Sequence, residues 1–152
     1  RLFQHCPWLH CGLFLNAYLS AWSNTVNDNI ITLGVPDFRK LSGVVAAWKA
    51  RRRPLDPPMR QIDNDLKKAL VLDETELPGD TVSIGSTVTV QDVDSQEVST
   101  VRLVFPAELD GTEATASVFS PLGAAIIGEK SGKLVDCEAP TGMRRFKILN
   151  IQ

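Results

Sequence analysis

No histidine occurs beyond His10, and neither tyrosine nor tryptophan occurs beyond Trp48. The first absence removes the usual general base for a Ser or Cys nucleophile from most of the chain. The second leaves Phe105, Phe119 and Phe146 as the aromatic material for any apolar pocket in the C-terminal part, where they read as core. Cysteine is sparse and odd in number, Cys6, Cys11 and Cys137. That is no disulfide framework, and a reducing compartment is the default. Cys137 falls in a predicted strand and reads as a buried, inert thiol. Neither a Walker loop nor a dinucleotide fingerprint is present. A net charge of −2 over 152 residues argues against non-specific nucleic-acid binding through bulk electrostatics. Hydrophobic residues make up 43% of the chain, enough for one domain with an extension or for two small domains.

Charge is also missing locally. Between Arg1 and Asp28 there is no Asp, Glu, Lys or Arg, while Leu2, Phe3, Trp8, Leu9, Leu13, Phe14, Tyr18 and Trp22 dominate. A secretory signal fits loosely, with Arg1, the apolar run Gly12 to Leu19 and the small residues Ser20-Ala21. A membrane span fits poorly, because Gln4, His5, Pro7, His10 and Asn16 interrupt it. The third reading is an extension outside the main domain, docked on it or reflecting a misassigned start. His5-Cys6 and His10-Cys11 carry zinc-ligand chemistry. Their spacing matches no familiar finger and no second ligand pair follows, so no metal site is expected.

What is present begins with two helices. Ile30 to Leu33 is a brief extended entry, and Gly34-Val35-Pro36-Asp37 is a helix start with Pro in the first turn and Asp at the positive end. Phe38, Leu41, Val44, Val45 and Trp48 recur at helical spacing. Pro54 must end this helix, and Pro57-Pro58 keeps the link extended. A second helix is predicted from about Met59 to Val71, burying Ile62, Leu66, Ala69 and Leu70. Two such helices on a short link pack antiparallel. Their tip holds Arg51, Arg52, Arg53, Asp56 and Arg60.

The acidic stretch Leu72 to Asp80 contains Pro78-Gly79 and marks a boundary. Thr81 to Ile84, Ser86 to Gln91 and Val98 to Phe105 alternate as half-buried strands, with Val98, Val101, Leu103 and Phe105 as core candidates. The acids Asp92 and Asp94 fall in the intervening turn, where solvation explains them. Ala114 to Phe119 returns as a strand. Ser120-Pro121 then opens a short apolar helix that Gly128 closes. Leu134 to Ala139 and Arg144 to Ile151 are the last strands. The fold class is α+β with a strongly antiparallel sheet. The expected divisions are an apolar extension at 1–28, a short helical hairpin at 29–72, a linker at 73–80 and a sheet domain at 81–152.

From about residue 29 onward these motifs carry a resemblance. Ser120-Pro121 opening a small apolar helix that Gly128 closes, and Pro140-Thr141-Gly142 before the last strand, resemble the C-terminal domain of the bacterial GreA and GreB transcript-cleavage factors. Within that superfamily Leu103-Val104-Phe105-Pro106-Ala107, Ser120-Pro121-Leu122-Gly123-Ala124-Ala125 and, upstream, Glu76-Leu77-Pro78 leading to Val82-Ser83-Ile84-Gly85-Ser86 are most similar to the Rnk branch, the regulators of nucleoside diphosphate kinase. The resemblance implies an FKBP-like topology for the sheet domain and a partner, bacterial RNA polymerase, met at the rim of its secondary channel. Nucleic acid in the transcription complex would be an indirect contact.

In the cleavage factors an acid-Ser-Pro turn touches that rim. The matching positions are Phe119, Ser120 and Pro121, with Leu122 and Gly123 alongside, and Phe119 replaces the acid. The cleavage factors also carry a far longer coiled coil, whose acidic tip helps hold a catalytic magnesium ion. Asp56 among arginines is a poor match to that chemistry. The resemblance therefore implies a cytoplasmic polymerase-binding transcription regulator that is not an enzyme, needs no cofactor and stimulates no cleavage. The arginine tip has two readings, a surface for acidic protein or nucleic acid, and a solvated loop whose arginines cap the carbonyls ending the first helix. Two further readings stay open. One is a prolyl isomerase on the FKBP-like scaffold, although fold does not carry activity. The other is an exported or membrane-attached module using residues 1–28.

Overall fold

The computed structural model describes residues 30–112 and 114–152. The N-terminal extension, with its histidine–cysteine pairs and its signal or anchor readings, lies outside them. Among the described residues no helix is long and apolar enough to cross a membrane. The architecture is mixed α+β, with one five-stranded sheet, a two-stranded sheet and few helices.

The chain enters through β1 (Thr32–Gly34), followed by α1 (Val35–Ala50) and α2 (Pro57–Leu66). Pro36 sits in the first turn of α1 and Pro57 opens α2, where a missing N–H costs nothing. Leu41 and Val45 are buried on α1, Met59 and Ile62 on α2, and Phe38, Trp48 and Leu66 pack against this core. Asp63 on α2 accepts from Lys49 Nζ on α1 at 2.6 Å and pairs with Lys67 at 3.1 Å.

The second helix ends five residues before its predicted limit. Leu70–Leu72 instead forms β2, which pairs in parallel with β1, Thr32 opposite Leu70 and Gly34 opposite Leu72. The Leu70 N–H donates to the Ile31 carbonyl at 2.9 Å. Leu70, expected on a buried helical face, is 51% exposed. An apolar run this short reads as helix or strand from periodicity alone, and pairing with β1 decided it.

The main sheet contains β3 (Thr87–Asp92), β4 (Val98–Val104), β5 (Thr115–Ser117), β6 (Leu134–Ala139) and β7 (Gly142–Ile151), in the order β5-β4-β3-β7-β6. All neighbours are antiparallel except β4 and β5, which run parallel. The link between them turns through a 3-10 segment at Pro106–Glu108 and an Asp110-centred loop, so the chain re-enters in the same direction. A bulge between Thr89 and Val90 shifts the β3–β7 register.

Thr81 to Ile84, read as a strand, supplies only a bridge from Thr81 to Lys130. The Val82 N–H donates to Glu129 O and its carbonyl accepts from Gly128, both at 2.9 Å. Val98 is 54% exposed because it lies beyond the core at the turn end of β4, whereas Val101 and Leu103 are buried. The short helix α3 (Pro121–Ile126) buries Ala124, Ala125 and Ile126 in a core shared with α1, α2 and the sheet.

Candidate functional site

Two places hold the residues singled out above, the turn opening α3 and the link between α1 and α2. Ser120 is the N-cap of α3. Its Oγ accepts from the Gly123 N–H at 3.0 Å and donates to the Ser117 carbonyl at 2.7 Å. The hydroxyl satisfies one of the free amides of the first turn and fastens it to the end of β5. Gly123 is required there, since a Cβ would collide with the Ser117 carbonyl. Phe119 takes its N–H to Ser117 Oγ at 3.1 Å. Its half-buried ring packs against Phe105, centroids 6.2 Å apart and tilted by 54°. Pro121 and Leu122 remain half-buried at the edge. The turn is therefore a rigid, mainly apolar edge in which the serine hydroxyl is engaged by the fold.

Leu122 also borders a concavity of about 500 Å³ with Val90, Val101, Phe146, Asp92 and Arg144. Phe146 is its one aromatic. Asp92, which a turn position suggested was solvated, is buried at 4% exposure and pairs with Arg144 Nη2 at 3.1 Å. Burial pushes its pKa up, but N–H groups of Asp94 and Ser95, at 2.9 and 3.3 Å, and the Arg144 charge win and hold it below the ordinary value. Sequence reasoning missed this pair. Its signal was local only, an Asp followed two and three residues on by amides that an Asx-type turn can bind.

At the far end of the helices the link is held from inside. Trp48 Nε1 donates to Pro54 O at 3.4 Å, and Arg60 Nη2 donates to Leu55 O at 3.1 Å. Arg52 adopts a left-handed backbone with φ 53°. Arg51, Arg52, Arg53, Asp56 and Arg60 are all exposed. Among the described residues none of the five takes part in an ion pair. Of the four arginines, Arg60 alone is seen binding a carbonyl of the link through its side chain.

Residues 77–152 match the family described as "Transcription elongation factor, GreA/GreB, C-term". The chain is 45% identical over 92 residues to a transcription elongation factor GreA of Clostridium botulinum, covering 60% of this chain and 58% of that protein. It is 31% identical over 105 residues to GreA of Maricaulis maris, covering 69% and 67% respectively. The chain thus spans less than two thirds of the Clostridium relative. Among solved structures, the prokaryotic transcription elongation factor GreA/GreB from Nitrosomonas europaea is similar in fold, with a TM-score of 0.65 at 24% identity, covering 81% of this chain and 98% of that one.

Proposed function

We propose that this chain, which belongs to the GreA/GreB family of transcription elongation factors, binds bacterial RNA polymerase and regulates transcription without stimulating transcript cleavage. The observation that carries the second half is the tip. Asp56 is its one carboxylate, set among Arg51, Arg52, Arg53 and Arg60. A hard cation asks for several oxygen ligands, and this donor set does not fit the magnesium-holding role of the acidic tip in the cleavage factors. The arm is also short. Sixteen residues in α1 and ten in α2 span about 24 and 15 Å at the usual helical rise.

On this reading the sheet, of FKBP-like topology, docks on the polymerase at the rim of the secondary channel through the edge made by Pro121, Leu122 and Phe119. The hairpin, of the Rnk type, then occupies the channel mouth and excludes longer factors. The protein acts by binding. The concavity beside Leu122 has a single aromatic wall and a closed ion pair, little material for a prolyl isomerase. The test is competition with a GreA-type factor in a backtracked complex. Dose-dependent loss of transcript cleavage, with none stimulated by this protein alone, is the expected result. Stimulated cleavage, or no effect on the competitor, overturns the proposal.

A further inference from the structure

The main sheet ends at β6, which has β7 on one side and, among the described residues, no strand on the other. Ala139 pairs with Gly142 across the turn between the two strands, and the Ile148 N–H donates to the Lys133 carbonyl at 2.9 Å. Hydrogen-bonded and open pairs alternate along an antiparallel ladder. The N–H and C=O groups of Leu134, Asp136 and Glu138 therefore point away from β7, and among the described residues no other backbone group bonds to them. Between this edge and α2 lies a groove of about 410 Å³, lined by Gln61, Asn64 and Asp65 from the helix and by Glu138 from the strand.

The two carboxylates of this groove are unanswered. Asp136 is met by Arg145 on β7 at 2.8 Å, but Glu138 stands opposite Met143. Neither Glu138 nor Asp65 has an ion-pair partner among the described residues. Asp65 is half-buried, and burial pushes its pKa up against the charges of Lys68 and Lys133. Lys133 is itself paired with Glu129 at 2.7 Å. Arg60, which also lines the groove, turns its guanidinium to the Leu55 carbonyl. The surrounding domain is acidic, since residues 73–152 contain six Lys and Arg against thirteen Asp and Glu, a net of −7.

We propose that the free edge of β6 accepts an extended basic segment of a partner protein as a further strand of the sheet. The backbone of that segment satisfies the outward groups of Leu134, Asp136 and Glu138, and cationic side chains at every second position meet Glu138 on the strand and Asp65 on the helix. A second copy of this chain is the wrong occupant. β6 laid antiparallel on itself sets Asp136 against Asp136 or against Glu138, and like charges directly opposite are destabilising. This inference goes beyond polymerase binding and does not rest on it.

The test uses the full chain without polymerase and a labelled eight-residue peptide alternating arginine and threonine. Binding is read by fluorescence anisotropy and amide exchange by NMR. With the peptide at about ten times its Kd, exchange at the Leu134, Asp136 and Glu138 amides should slow about tenfold by mass action. Glu138→Lys should weaken binding by about fivefold or more. The same reversal at Glu108, on the exposed 3-10 segment, should change it less than about twofold. Circular dichroism verifies that both variants are folded. N-methylation of alternate peptide amides should abolish binding in one phase and spare it in the other, because only one set faces the edge. Absence of binding, no protection of the three amides, an equal loss in the Glu108 variant or an equal loss from both methylation patterns overturns the proposal. So does tighter binding of a peptide alternating glutamate and threonine, or a dimer of the free chain that protects the same amides. Polymerase takes no part, so neither this result nor the cleavage competition decides the other.

Discussion

The carboxylate of Asp37, in the first turn of α1, accepts the backbone N–H of Ile84 at 3.0 Å across 47 residues of sequence. One side chain thereby ties the base of the helices to the segment that leads into β3. Burial pushes the Asp37 pKa up, against the Ile84 N–H and the Lys40 charge, which pull it down. The ionised form is thus the one the fold favours less, so its contribution to stability is greatest below the ordinary value of 3.8 and declines as pH rises through the raised folded value. Asp37→Ala leaves the Ile84 amide without its partner and should cost about 1–3 kcal/mol in urea unfolding at neutral pH. Asp37→Asn keeps an acceptor and should cost less, with a flatter dependence on pH.

Ser120→Ala should lower stability by about 0.5–2 kcal/mol through loss of the α3 cap. Because the hydroxyl is engaged internally, the polymerase affinity proposed above should fall less than in a Leu122→Asp variant, which puts a charge into the half-buried apolar edge itself. Unfolding midpoints and polymerase pull-down, measured on both variants, separate the two effects. A larger binding loss from Ser120→Ala at equal stability would instead assign the hydroxyl to the partner.

Gly128 holds φ +73°, and a Cβ there would lie 2.7 Å from Ile31 Cβ. Gly128→Ala should therefore cost about 1–3 kcal/mol from backbone strain and overpacking together. Gly132→Ala, at φ +83° with open space around it, tests the strain alone and should cost less. Thermal unfolding of the two variants gives the comparison.

Asp110 is held down to about 2 by the Thr112 hydroxyl and amide and the Thr115 hydroxyl, at 2.7, 3.0 and 2.8 Å. A group depressed in this way adds stability that is present above 3.8 and is lost as pH falls through about 2. The stability gap between wild type and Asp110→Asn should be constant at neutral pH and close as acid approaches that value. A carboxyl NMR titration of Asp110 reads the midpoint directly.

Cys137 is 3% exposed and its thiol pKa is raised by burial, against a smaller opposing pull from Arg144. Alkylation read by peptide mass mapping should label it only under denaturing conditions. Labelling at the rate of a free peptide thiol in the native protein would contradict the strand placement.

Much of this architecture was legible where two local signals agreed. Ser120-Pro121 carries both a cap and a fixed φ, and α3 begins there. The alternation of Leu134 to Ala139 matches β6 residue for residue. Reading failed where partners distant in sequence decided the outcome. Leu70–Leu72 is a strand because Thr32–Gly34 is available to pair with it. Ala114 to Phe119 contains a strand, but its parallel direction beside β4 is a property of the connecting loop. Asp92 looked like any turn acid until β7 delivered Arg144 to it. The arginines of the link were visible from the start, and the left-handed backbone at Arg52 was not.

The parallel pairing of β1 with β2 fixes both feet of the helical arm on one short ladder. Everything between Val35 and Ala69 is then a closed excursion that leaves and returns at neighbouring points. Whole turns added in step to α1 and α2 would move the tip outward and leave the ladder, the Asp37 tie and the sheet as they are. The length of the helix pair is an adjustable quantity in this design, separable from the sheet, and pairs of different length can be carried on one unchanged platform.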